Sequence, residues 1–146
     1  MTTATTQTQI PGSGRKPARL SVAKYEAMVA SGAFTKADRF ELIEGILVER
    51  ITKNPPHSVV NGFCLDALGQ SLPAGWHVRK EDPVRIPNRD SEPEPDIAVV
   101  RGKRADYFDR HPGPPDVALV VEVADSTLED DRDLAVTYGG DGILLN

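Results

Sequence analysis

Apolar positions recur along this chain at two periods, and each predicts a set of elements. Val22, Tyr25, Met28 and Val29 follow helical spacing after Ser21, a residue suited to capping a helix start, and Gly32 stands just past the last of them. A short amphipathic helix is predicted there. From residue 40 to residue 51 the apolar positions flank Glu44-Gly45, and glycine supplies the positive φ of a tight turn, so this stretch reads as a hairpin. Asn54-Pro55-Pro56 reads as a chain break. After it, Val60, Phe63, Cys64, Ala67 and Leu68 mark the inward stripe of a second helix, stopped by Pro73-Ala74-Gly75, with Cys64 as a core residue.

Strand signals follow. Residues 76–80 and 84–86 read as strand pieces interrupted by Pro83, residues 87–95 as a polar loop, and residues 96–100 as an apolar strand. Residues 103–110 allow one helical turn before the proline loop of 111–115. Residues 116–124 (DVALVVEVA) are apolar on both faces except for Glu122, the pattern of a central strand covered on each side. Residues 130–138 suggest a last helix, with Ile143-Leu144-Leu145 beyond it. The order predicts an α/β or α+β domain, a mixed sheet flanked by helices.

Length and composition narrow the class. At 146 residues the chain holds one domain, and 39% hydrophobic with 27% charged residues places it among ordinary globular chains. No apolar run is long enough to span a bilayer, the N-terminus lacks a secretory stretch, and the single Cys64 excludes an internal disulfide. A cytoplasmic protein with no membrane association is expected. Residues 1–19 read as a disordered tail and residues 20–146 as the domain. With 17 basic and 22 acidic residues the net charge is −5, the wrong sign for a protein that coats nucleic acid through a broad basic face.

Glu122 is the first candidate for chemistry, because an ionised carboxylate in an apolar strand must be paired, hydrogen-bonded or metal-bound. Asp96 opens the preceding strand. Two adjacent strands can bring both carboxylates to one sheet edge, where an oxygen-ligated cation such as Mg²⁺ binds. A salt bridge to an arginine is the structural alternative for Glu122, and a turn-capping role the alternative for Asp96. His77 and His111 lack the spacing of a zinc site and read as structural.

The blocks Phe40-Glu41-Leu42-Ile43-Glu44-Gly45, Pro55-Pro56-His57-Ser58, Pro95-Asp96-Ile97-Ala98-Val99-Val100 and Val121-Glu122-Val123-Ala124-Asp125-Ser126-Thr127-Leu128, followed by Asp131-Arg132, stand in a telling order. In that order the chain resembles the Uma-two family of restriction endonucleases, within the PD-(D/E)xK nuclease superfamily. The resemblance implies a restriction-endonuclease-like sheet flanked by helices and a Mg²⁺-dependent site that hydrolyses DNA phosphodiester bonds. It implies Asp96 and Glu122 as catalytic metal ligands, Glu41 as an accessory catalytic acid, and His57 and Asp131 near substrate.

One expected group is missing. The resemblance implies a lysine in the form D-R-x-x-K, and this chain reads Asp131-Arg132-Asp133-Leu134-Ala135, with no lysine after Lys103. Nothing in the spacing of Lys80 or Lys103 points to the site. The chain also stops at Asn146, where similar chains continue into a further strand, so the final strand or strands are expected to be missing. These two departures predict weak or absent hydrolysis. They equally fit a catalytically dead nuclease-fold module that binds a partner, a homodimer formed through an open sheet edge, or a non-functional gene remnant.

Overall fold

The computed structural model describes residues 12–50 and 52–123. Helix α1 spans Val22–Ala30, and Ser21 caps it by accepting a hydrogen bond from the Lys24 N–H at 3.2 Å. Strands β1 (Phe40–Ile43) and β2 (Ile46–Glu49) form the expected hairpin. Its turn residues Glu44 and Gly45 both take positive φ, 46° and 79°, the requirement of a two-residue hairpin turn. A side chain at Gly45 would also collide with Arg19, whose Cβ would lie 2.7 Å away.

Helix α2 runs Pro55–Ser71, so the two prolines are its first turn and not a break before it. Proline suits that position because the N–H it lacks would find no partner within the helix. Asn54 caps the helix, its side chain accepting from the His57 N–H at 3.0 Å. The expected inward stripe is a correction. Phe63 is 70% exposed and Val60 45%, while Asn61 is buried and Cys64 only half-buried. Apolar residues lie on several sides of this helix, so their spacing alone does not select the buried face.

Strands β3 (Trp76–Lys80), β4 (Ile97–Arg101) and β5 (Val117–Val121) form a second, antiparallel sheet in the order β3-β4-β5. The α+β class is as expected, with the described strands divided between two antiparallel sheets. Of the three, β4 and not β5 is central, since Ile97, Ala98, Val99 and Val100 are all buried while β5 is half-buried to exposed. An apolar run marks a strand, and which strand neighbours which is set by pairing. Residues 84–86 stay outside the ladders apart from an isolated bridge, Ile86 to Ser91. The turns at Arg104–Tyr107 and Pro114–Asp116 are short 3₁₀ segments. No helix among the described residues is long and apolar enough to cross a membrane.

The segment read as a polar loop, residues 87–95, is the joint between the sheets. Ser91, Glu92, Pro93 and Pro95 are buried, and the backbone is paired on both sides. On one side the Glu92 N–H donates to the Leu42 carbonyl at 2.7 Å and the Gly45 N–H to the Asp90 carbonyl at 2.8 Å. On the other side the Val84 N–H donates to the Pro93 carbonyl at 2.9 Å. Buried backbone polar groups must find such partners, so the loop can be buried only in this docked position.

The apolar core beside the hairpin is small: Val22, Tyr25 and Leu42, with Leu20, Phe34 and Leu47 around them. Leu42 is fully buried, and its carbonyl holds the joining segment. Leu42→Ala is expected to lower unfolding free energy by about 2–5 kcal/mol, a large share of a small domain's total. Urea unfolding measures it, and a loss well under about 1 kcal/mol would show that this cluster does not hold the hairpin in place.

Candidate functional site

Side chains from distant parts of the chain meet where the two sheets join. Asp96 stands immediately before β4 and Glu122 immediately after β5, and the antiparallel pairing of Ile97 with Val121 puts them side by side. The Asp96 N–H donates to Glu122 Oε2 at 3.4 Å. The two carboxylates singled out in the sequence therefore do converge. Glu41, on β1, accepts a hydrogen bond at Oε2 from the Glu94 N–H at 2.9 Å and lies within electrostatic reach of both.

His57 is delivered by the first turn of α2, and its Nε2 lies 3.0 Å from Asp96 Oδ2. An ionised carboxylate only accepts, so Nε2 carries the proton in this pair. The same Asp96 oxygen accepts the Val123 N–H at 2.9 Å. The other, Oδ1, accepts from the Lys53 ammonium, which also bonds Oε1 of Glu81. Asp131, with the segment carrying Ala135, lies outside the described residues.

Lys53, Glu81, Arg50 and Glu94 are members of this cluster that sequence pattern did not single out. Arg50 donates to Glu94 Oε2 at 2.5 Å and to the Glu94 carbonyl at 3.3 Å. Lys53 precedes α2 in a stretch with no periodicity, so no spacing rule marks it. Glu81 takes φ of 53°, unusual for a side chain with a Cβ, and its N–H is shared between the Pro95 and Asp96 carbonyls at 3.1 and 3.2 Å. Those bonds hold the strained residue in place. Lys80 and Lys103, the lysines weighed from sequence, have no ion pair with Asp96, whereas Lys53 does.

The acids of the cluster separate by environment. Burial pushes the Asp96 carboxyl up, but the Lys53 ammonium and the Val123 N–H, with His57 behind them, outweigh burial and hold it below the usual range. Among the described residues Glu122 has no such cation. Burial, then the Asp96 charge, pushes it up to about 8. Burial also raises Glu41, against the opposing pull of the Glu94 N–H and Arg50. A charged and a neutral carboxyl side by side is the state two close acids adopt when no cation neutralises both.

The Uma2 family, described as "Putative restriction endonuclease", matches residues 22–137. The chain belongs to that family. All the site residues named above lie inside the matched span. The fold is also similar to the crystal structure of a protein described as a "putative nuclease belonging to DUF820" from Anabaena variabilis ATCC 29413, with a TM-score of 0.59 at 12% identity. The match covers 80% of this Uma2 chain and 65% of that one, and at such identity it concerns the fold alone. No curated protein matches the chain.

Among the described residues no three His, Cys, Asp or Glu side chains form a ready metal cage. Asp96 and Glu122 offer a two-carboxylate seat instead. That donor set fits Mg²⁺, which is commonly held by one or two carboxylates and completes its shell with water and phosphate oxygens.

The raised Glu122 carboxyl gives a pH dependence with a definite sign. In the folded chain it keeps a proton up to about pH 8, whereas the unfolded chain releases it near 4.5. Stability from this group is full below pH 4.5 and is lost as pH rises through about 8. Buried Glu92, pushed up to about 7 by burial and then by Glu26, acts in the same direction. In metal-free buffer the melting temperature is expected to fall across this window, and Glu122→Gln to remove part of the slope and leave the Glu92 part. A variant whose Tm follows the parent's pH profile unchanged would contradict the assignment.

Proposed function

We propose that this chain is a Mg²⁺-dependent endonuclease that hydrolyses DNA phosphodiester bonds at the ends of β4 and β5. The observation that carries this reading is the convergence of Asp96 and Glu122 from paired strands, one ionised and one neutral, with Glu41 in electrostatic range. Family membership supports the same reaction class.

Asp96 and Glu122 would hold the cation, with Glu41 adding negative charge at the seat. The chemistry such an ion would supply is charge neutralisation at the phosphoryl oxygens and a lowered pKa of the attacking water. The chain's own contribution is positioning. Val123 and His57 fix the plane of the Asp96 carboxylate through one oxygen, so its lone pairs are already oriented before any ligand arrives. The Asp96 N–H fixes Glu122 in turn. In the reaction the water oxygen bonds to phosphorus as the ester P–O bond breaks. Solvent takes the water proton and returns one to the leaving oxygen, leaving a phosphomonoester and a free hydroxyl end.

A purified protein is expected to nick supercoiled plasmid with Mg²⁺ and not with EDTA. Asp96→Ala and Glu122→Ala are each expected to lose at least about 10²-fold in rate, the scale of removing one electrostatic stabiliser of the transition state. Gel densitometry of nicked circles measures it. Equal nicking by parent and both variants would assign the activity to a contaminant and overturn this reading.

A further inference from the structure

We infer that Lys53, reaching the site from the loop between β2 and α2, is its catalytic ammonium and contacts the phosphate undergoing cleavage. The inference rests on the nuclease reading above and adds a residue that neither the sequence pattern nor the family description assigns.

The placement carries it. Lys53 Nζ bonds Oδ1 of Asp96, the oxygen not used by Val123 or His57, and it also bonds Oε1 of Glu81. The ammonium thus stands against the one carboxylate oxygen left open by the positioning bonds. Exposure points the same way. The Lys53 side chain is 17% exposed where that of Asp96 is 5%, so the lysine is the more accessible member of the pair.

Charge favours the role. Glu41, Glu81 and Asp96 gather in a chain whose net charge is already −5, and fixed positive charge facing a phosphodiester offsets the repulsion. Arg50 is held by both the side chain and the carbonyl of Glu94, and position 135 offers only alanine. Lys53 is held differently. Two acids share it, so when Asp96 Oδ1 is engaged elsewhere, Glu81 retains the ammonium beside it. The strained backbone of Glu81, tied to the carbonyls of Pro95 and Asp96, keeps that second anchor at the site.

In the reaction Lys53 keeps its proton. As water bonds to phosphorus and the ester bond breaks, negative charge grows on the non-bridging oxygens, and a compact ammonium stabilises it as a point charge. Arginine, with its planar fork, does not reproduce that point charge.

Lys53→Met and Lys53→Arg, compared with the parent, test this with three measurements: plasmid nicking in Mg²⁺, Mn²⁺ binding followed by electron paramagnetic resonance, and anisotropy of a short fluorescein-labelled duplex in Ca²⁺. Lys53→Met is expected to lose about 10²–10³-fold in nicking rate. It is also expected to weaken duplex binding and to bind Mn²⁺ as tightly as the parent or tighter, because no ammonium competes for Asp96. Lys53→Arg keeps the ion pair and the fold, and is expected to recover duplex binding but to remain at least about tenfold slow in nicking. Full nicking by either variant overturns the inference. Loss of Mn²⁺ binding together with nicking in Lys53→Met also overturns it, since that is the mark of a purely structural ion pair. Should Lys53→Met not fold, Lys53→Arg decides alone, full rate against it and a slowed rate for it. If the parent does not nick at all, the nuclease reading fails by itself. Duplex binding then judges Lys53: unchanged affinity in Lys53→Met removes it from the phosphate, and weakened affinity keeps it there.

Discussion

A carboxylate taken out of water must be compensated by other groups, and Asp96 is the carboxylate around which this molecule is arranged. Its side chain is 5% exposed and carries negative charge. Burying that charge unpaired would cost several kcal/mol. The compensation comes from the Lys53 ammonium, the His57 ring and the Val123 N–H, each from a different part of the chain. Satisfying one residue therefore fixes the β2–α2 loop, the start of α2 and the exit of β5 relative to one another.

The joining segment makes this arrangement possible. Two small antiparallel sheets have little reason to hold a common orientation, since each satisfies its own ladder. Ser91 to Pro95 supply that orientation by pairing with Leu42 on one side and Val84 on the other, and the same backbone presents the Glu94 N–H to Glu41. The Glu44 N–H on the Ser91 hydroxyl, at 2.8 Å, adds a tie from the hairpin turn. Polar composition disguises the role of this loop, because its polar groups bond other parts of the protein.

Electrostatics then divides equivalent groups into unequal ones. Asp96 and Glu122 are both buried carboxyls, yet the first has a cation and backbone donors while the second has mainly its charged neighbour. The outcome is a proton on one and none on the other. On the reading proposed above, a divalent cation at these adjacent strand ends would favour the ionised form of both.

The local elements were legible in the sequence because their causes are local. Ser21 and Gly32 bracket α1, Glu44-Gly45 can only turn, and the apolar run before Glu122 is a strand wherever it lies. Asp96, Glu122, Glu41 and His57 were also identifiable, through charge in apolar surroundings and through the ordered blocks that resemble the family. Tertiary structure alone decided the rest. The face that α2 buries and the strand that becomes central depend on neighbours far away in the chain, and so does the arrival of Lys53 and Glu81 at Asp96, 43 residues from Lys53 in sequence. Periodicity records which kind of element a segment forms. It holds no record of which charges share a site, because that follows from how separate elements pack.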